Sequence, residues 1–344
     1  MRILLADGSV IYKKIFAKAM YELGGSAVLD LVSSGEEARA FMRRRNYDIV
    51  LIDAEISPPG LHALISECKR VMPHSHALVT ARPSPTNSRL CAEALALGAS
   101  ECIIKPIYES YSGNVDLIKG KMLDILKEPF SRSRRPARQD GHWQKAHRKK
   151  TLHNPDLILI ASSTGGPVAL EAIFSRMSAD LPAPILLVQH IPHYFTGTLA
   201  GHLNQKSALR VKVAENGESI SAGTVYMAPG NVHMLLEPGG KILLDGSPPK
   251  NGVRPAADTL FESVSESLGK AGILTVILTG MGSDGARGLG ALKQKCNCVC
   301  FAQNEETCVV YGMPRAAVES GCVDKILALH DIPPEIEKLF DMVV

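Results

Sequence analysis

The chain has 344 residues, is 45% hydrophobic and 21% charged, and can form two full hydrophobic cores. No apolar run approaches the roughly 20 residues that span a bilayer, which excludes direct membrane insertion through a helix. The net charge of +3 is a local property: residues 131–150 hold eight Lys or Arg against one Asp, a net of +7, and leave 3 − 7 = −4 for the remainder. The folded parts therefore lack the charge of a nucleic-acid binder.

Met1-Arg2 leads directly into a strand pattern, so no secretory signal is read. The eight cysteines are scattered, and the expectation is reduced thiols in a cytoplasm. Cys296, Cys298 and Cys300 alternate along a strand and read as packing thiols, since no C-x-x-C pair accompanies them.

Residues 1–127 alternate strand and helix. Ile3 to Ala6 is a buried strand ending at Asp7, and Ile11, Ile15, Phe16, Ala19 and Met20 mark one face of the helix after it. Ala27 to Val32 is a strand and Gly35 to Asn46 a helix. Asp48 to Ile52 is a third strand, ending at Asp53, and Leu61 to Met72 a helix. Ala77 to Thr80 is a fourth strand, Asn87 to Leu97 a helix, and Glu101 to Ile104 a fifth strand running into Lys105-Pro106. Five β–α units of this kind make a doubly wound parallel sheet.

Asp7, Asp53, Thr80 and Lys105 follow strands one, three, four and five, at the edge where such sheets bind ligands. Two carboxylates there repel unless a divalent cation or a lysine neutralises them. The arrangement resembles the response-regulator receiver domain over roughly the first third of the chain. The resemblance implies that Asp53 is the phosphorylated aspartate, Thr80 the switch hydroxyl and Lys105 the lysine contacting the phosphoryl group. It also implies Mg2+ for phosphorylation, held by Asp7 and Asp53 with the backbone carbonyl of Glu55. Receivers usually carry two adjacent acids after the first strand, and here the pair is Asp7-Gly8. The missing carboxylate predicts slow or magnesium-demanding phosphorylation.

Residues 128–154, with the lone Trp143, carry charge and turn residues without periodicity and read as a basic, exposed linker. No aromatic interleaving or amphipathic pattern supports a nucleic-acid or membrane arm. From Leu157 a second α/β pattern begins. Leu157 to Ile160 and Ile185 to Val188 are buried strands, and VALEAIFSRM has helical spacing. Thr198 to Asn204 is a helix, Val211 to Val213 a strand, and Val225 to Ala228 a run between turns. Met234 to Leu236 and Ile242 to Leu244 form a hairpin across Gly239-Gly240. Ala256 to Leu268 is a helix, Leu274 to Leu278 and Cys298 to Phe301 are strands, and Met313 to Ser320 is a helix.

Ser163, His190 and Asp284 each follow a buried strand of this second pattern, so one sheet edge can bring them together. A serine needs a base within hydrogen-bond reach, and the base needs a partner that fixes its tautomer. Read singly, each residue has a plainer role: Ser163 and Thr164 as caps of a helix, Asp284 as the cap of another, and His193, His202, His233 and His330 as rival histidines. The glycine-rich ends could also cradle a phosphate, although G-x-G-x-x-G is absent. The nucleophile elbow G-x-S-x-G is absent as well, which argues against the ordinary α/β-hydrolase fold.

The segments ASSTGGP, QHIP, AGTVYMAPGNVHM, VRPAADTLFESV, ILTGMGSDGARG and AQNEETCVVYGMPRAA closely resemble the catalytic domain of the chemotaxis protein-glutamate methylesterase, from about Leu157 to Val323. Behind a receiver, this domain order matches too. Ala161-Ser162 stands where Gly-Ala is usual. The resemblance implies a triad of Ser163, His190 and Asp284, with backbone N–H groups near Thr164 or Met281 as the oxyanion hole. It implies hydrolysis of γ-glutamyl methyl esters on methyl-accepting chemoreceptors, often with deamidation of receptor glutamines, and no cofactor for that step. A chemotaxis histidine kinase would be the phosphodonor, and the unphosphorylated receiver would cover the active site, with Phe195 at that interface or on substrate.

The fold expectation is α/β: two doubly wound parallel-sheet domains. Residues 1–127 form the five-unit receiver, 128–154 the linker, and 155–344 a Rossmann-like methylesterase domain with a β-hairpin. A non-enzymatic receptor-binding adaptor with a degenerate receiver is the alternative, favoured by Gly8 and opposed by the complete triad. A nucleic-acid regulator is disfavoured, because no helix-turn-helix pattern follows the receiver.

Overall fold

The computed structural model describes residues 1–24, 27–106, 110–127 and 152–342. Most of the stretch read as a basic linker, 128–151 with Trp143, lies outside the described residues.

The N-terminal unit runs β1 (Arg2–Ala6), α1 (Val10–Glu22), β2 (Val28–Val32), α2 (Gly35–Arg44), β3 (Ile49–Asp53), α3 (Leu61–Val71), β4 (His76–Ala81), α4 (Pro85–Ala96), β5 (Glu101–Ile104) and α5 (Tyr111–Lys127). Ser9, Ser34 and Ser84 start α1, α2 and α4, each side chain accepting an N–H from the first turn. The strands pair in parallel in the order β2-β1-β3-β4-β5. Helices cover both faces of the sheet, which is why β3 is buried at every position instead of alternating. Strand order reverses between β1 and β3, and that switch point is where Asp7 and Asp53 emerge.

The C-terminal unit runs β6 (Leu157–Ser162), α6 (Gly166–Phe174), β7 (Ile185–Gln189), α7 (His193–Lys206), β8 (Arg210–Val213), β9 (Thr224–Met227), β10 (His233–Glu237), β11 (Lys241–Asp245), α8 (Ala257–Ser267), β12 (Gly272–Ile277), α9 (Ala286–Lys295), β13 (Asn297–Gln303), α10 (Gly312–Glu319), β14 (Lys325–Leu327) and α11 (Ile332–Glu337). Seven strands form a parallel sheet ordered β14-β13-β12-β6-β7-β9-β8, and β10–β11 is a separate hairpin with Leu236 opposite Ile242. Here the order reverses between β6 and β12, so the loops after these two strands flank the crevice. Leu152 is already buried in this unit's core, ahead of β6.

The two units touch. Helix α4 packs against α6 and α7. Phe195, 1% exposed, lies in one cluster with Leu64, Ile65, Cys91 and Leu95 of the first unit.

The expectation of eight reduced thiols is corrected at one place: Cys91 on α4 and Cys102 on β5 are joined as a disulfide, with Cα atoms 6.1 Å apart. Nothing in a spacing of eleven announces this. The pair meets because the buried face of α4 lies on β5, and that contact is tertiary. The other six cysteines are free, Cys296, Cys298 and Cys300 among them as buried packing thiols.

Candidate active site

Strand β6 ends at Ser162, and Ser163 is the next residue, held by its N–H on Thr279 O at 3.0 Å. His190 follows β7 directly, with its N–H on Ser162 O at 3.0 Å. Asp284 stands seven residues beyond the end of β12, in the loop that starts α9. The structure brings all three to one cleft of about 580 Å³. His190 Nε2 donates to Asp284 Oδ2 at 2.8 Å. This commits Nε2 to the carboxylate and leaves Nδ1 as the ring nitrogen not engaged by Asp284, the reverse of the nitrogen facing the carboxylate in the chymotrypsin-type triad. Ser163 Oγ makes no hydrogen bond among the described residues.

Asp284 is 4% exposed. Burial raises its pKa, but the His190 ring and the N–H groups of Asp258 and Ala257 outweigh burial, and the carboxyl is held below its ordinary value. Thr164 and Met281 also line the cleft, and no hydrogen bond from either N–H is found among the described residues, which leaves both donors available to an oxyanion.

Sequence reasoning did not single out Gln189. Its amide, 2% exposed, donates to Ser163 O at 3.0 Å and His190 O at 2.9 Å, stapling the serine and histidine loops together. Its Oε1 accepts from Ser162 Oγ at 2.6 Å, so the departure at Ser162 fixes which way the amide faces. The only available signal was its place beside His190. Three of the four rival histidines have structural partners, His193 donating to Gly230 O, His202 to Glu171, and His233 sitting between Ala256 N and Pro248 O, while His330 is exposed beside Asp331.

The first unit forms the opposite wall of the cleft through Ser100, Glu101 and Ile103 of the β5 region and Ile118 and Lys121 of α5. Thr164 Oγ1 donates to Glu101 Oε2 at 2.7 Å, and Gly165 N to Ser100 O at 2.8 Å. The Lys121 ammonium pairs with the other Glu101 oxygen. Met281 packs against the cluster holding Val115, Ile118 and Met122 of α5. Phe195 thus lies at the contact between the two units.

At the first unit's own edge, Lys105 Nζ lies 2.6 Å from Asp7 and 2.9 Å from Asp53, over the Tyr12 ring at 4.5 Å. Burial raises the Asp7 pKa, and Lys105 acts against it. Thr80 is fully buried, and its hydroxyl has no partner among the described residues. Lys105 thus bridges the two acids. The Glu55 carboxylate is engaged with Arg82 and Asn87, and no group of three or more His, Cys, Asp or Glu among the described residues could hold a metal. These residues fit a hard cation only in part. A Cβ at Gly8 would find its nearest neighbour, Ser33 O, 3.8 Å away, so a third carboxylate fits there. Gly8→Asp is expected to tighten Mg2+ binding at least tenfold by isothermal titration. Equal affinity in both proteins would show that the missing acid is not what limits the site.

Fold and site together define a class: an α/β protein whose parallel sheet presents a serine, a histidine and a carboxylate at one edge, with a second parallel-sheet unit set against that edge. A family model described as CheB methylesterase matches residues 158–336. The protein-glutamate methylesterase/protein-glutamine glutaminase 1 of Syntrophomonas wolfei is 37% identical, over 97% of this chain and 98% of its own. The protein-glutamate methylesterase/protein-glutamine glutaminase of Geobacillus kaustophilus is 35% identical, over 98% of each chain. The crystal structure of the Thermotoga maritima CheB methylesterase catalytic domain is 41% identical and covers 54% of this chain and 98% of its own, with a TM-score of 0.52. The chain belongs to the CheB methylesterase family.

Proposed function

We propose that the chain hydrolyses γ-glutamyl methyl esters on methyl-accepting chemoreceptors, and deamidates receptor glutamines, through Ser163, His190 and Asp284. The carrying observation is the His190–Asp284 pair, its carboxylate buried, lining one cleft with Ser163 at the edge of the second sheet. Ser163 Oγ attacks the ester carbonyl while His190 Nδ1 takes its proton. The carbonyl oxygen, now an anion, faces the Thr164 and Met281 N–H groups. Collapse expels methanol, which takes the proton from His190, and water then attacks the acyl-enzyme by the same route to release the glutamate carboxylate. On a glutamine the leaving group is ammonia. Asp284 holds the ring and offsets its charge throughout. These steps use the chain's own side chains and water.

We further propose that residues 1–127 are a receiver that gates this site and residues 155–344 the catalytic domain. Glu101 on Thr164, Ser100 on Gly165 and Phe195 in the first unit's core support a covered resting state. Phosphorylation of Asp53 by a histidine kinase would withdraw Lys105 from Asp7, engage the Thr80 hydroxyl and loosen the β5 edge. No described helix is long and apolar enough to cross a membrane, and the proposed setting is the cytoplasmic side of receptor-bearing membranes.

The test is methanol release from methylated receptor membranes by wild type, Ser163→Ala and Asp53→Ala, with and without a small phosphodonor and magnesium. Release should vanish in Ser163→Ala and rise with phosphodonor only when Asp53 is present. Phosphodonor-independent release would remove the gate from this reading. No release from folded wild type would leave a receptor-binding adaptor.

A further inference from the structure

We infer that Asp258 is a positioning residue for this reaction, a buried carboxylate that fixes the loop carrying Asp284 and sets the electrostatic field behind His190. The inference rests on the triad reading above. Asp258 lies in the first turn of α8, 1% exposed. Its Oδ1 accepts the N–H groups of Gly285 at 3.0 Å and Gly288 at 2.8 Å, the two donors that follow Asp284 into α9. Its Oδ2 accepts the Asn251 amide at 3.3 Å. In return, the N–H of Asp258 donates to Asp284 Oδ1 at 3.0 Å, and that of Ala257 to Asp284 Oδ2 at 2.6 Å.

The exchange is reciprocal. The first turn of α8 holds the Asp284 carboxylate, and a carboxylate on that turn holds the Asp284 loop. Neither segment can shift without breaking charge-assisted hydrogen bonds on the other. The far side of the turn is pinned as well: buried His233 accepts Ala256 N–H on Nδ1 at 3.1 Å and donates from Nε2 to Pro248 O at 3.2 Å. The helices α8 and α9 meet without slack, since a Cβ on Gly288 would lie 2.7 Å from Phe261 Cβ and 2.9 Å from Asp258 O.

Geometry gives position, and charge gives a second effect. Two buried acids meet here, Asp258 on the α8 turn and Asp284 on the loop before α9, with His190 the group facing Asp284. Arg287 on α9 faces Asp258 from the other side but is itself paired with Glu262 at 2.9 Å, and Glu262 also takes Lys250. Burial, then the charge of Asp284, raise Asp258, while Gly285, Gly288 and Arg287 favour its ionised form. A second carboxylate behind Asp284 deepens the negative potential felt by the imidazolium that forms during turnover. Asp258 does not border the cleft, so its effect should fall on kcat and spare KM.

The experiment compares full-length wild type with Asp258→Asn, which keeps an oxygen for Gly285 and Gly288 and removes the charge. Methyl-ester turnover is measured across pH with phosphodonor present, and kcat is expressed per active site titrated with a fluorophosphonate. The expected result is a fall of roughly ten- to a hundredfold in kcat per site, the range found when groups supporting a catalytic centre from behind are removed. KM should stay within twofold, and the acid limb of the kcat profile should move to lower pH. If Asp258→Asn does not fold, Asp258→Ser is measured in the same way. Unchanged kcat per site and an unmoved acid limb, with only a lower Tm, would overturn the inference and leave Asp258 as a helix-joining residue. Wild type without turnover overturns the functional reading and this inference with it, whereas active wild type matched by the variant overturns this inference alone.

Discussion

Replacing Asp284 by Asn should lower kcat about 10⁴-fold in a chain that still folds, the scale of loss seen when a triad carboxylate becomes an amide. Asp284 accepts three donors, His190 Nε2–H, Ala257 N–H and Asp258 N–H. An asparagine has one oxygen for these three: at the Oδ2 place it keeps His190 and Ala257 but sets its NH2 against the Asp258 N–H, and at the Oδ1 place it keeps Asp258 and sets its NH2 against His190 Nε2. With an amide N–H facing the ring, Nε2 must become the acceptor, the proton moves to Nδ1, and the base nitrogen on the serine side is lost. The measurement is initial-rate methanol release, with circular dichroism to show that fold is retained. A loss under tenfold would mean that His190 does not need this partner. The same residue bears on acid stability. The folded carboxyl is held below its ordinary pKa, so its contribution is present above the unfolded value and is lost as pH falls through the folded one.

Gly280→Ala should cost about 100-fold in kcat, because it moves the nucleophile. A Cβ at Gly280 would lie 2.4 Å from Met313 Sδ, 2.8 Å from Ser163 Cβ and 3.0 Å from Ser163 N. The methionine can turn away, but the serine main chain, whose N–H is bonded to the neighbouring Thr279 O, cannot do so freely. A displacement approaching 1 Å at a reacting atom is enough for a loss of that size. Overpacking of this kind should also lower stability by about 1–3 kcal/mol. Thermal melts and turnover of the same preparation separate the two effects, and unchanged kcat at lowered Tm would show that Ser163 has room to adjust.

Much of this was legible in the chain. Buried parallel strands read as unbroken apolar runs, and β1, β3, β6 and β7 were visible for that reason. Ser163 and His190 follow their strands directly and were placed by that rule. Asp284 was less direct: β12 stops at Ile277, and the loop between depends on hydrogen bonds such as Gly280 N to Val310 O that no local pattern encodes. Helix α7 begins five residues before the expected Thr198, because His193 to Gly197 pack against Gly230 and the first unit instead of following a clean apolar period. The bounds of α5 and the existence of β14 and α11 were not read at all. β14 has three residues, and α11 opens on two prolines. Gln189, Asp258 and the Glu101–Thr164 bond escaped because each is a polar contact between segments far apart in sequence.

The Thr164–Glu101 and Gly165–Ser100 bonds have a kinetic consequence. On the gated reading proposed above, the first unit, which walls the cleft beside Ser163, would act as a tethered competitor of the substrate. Competition within one chain is governed by effective concentration, on the order of millimolar for short flexible tethers. An intramolecular contact can then hold without being strong. On that reading the same unit supplied as a separate polypeptide at micromolar concentration would hold the cleft far less, and the covalent connection is what would make a weak contact effective.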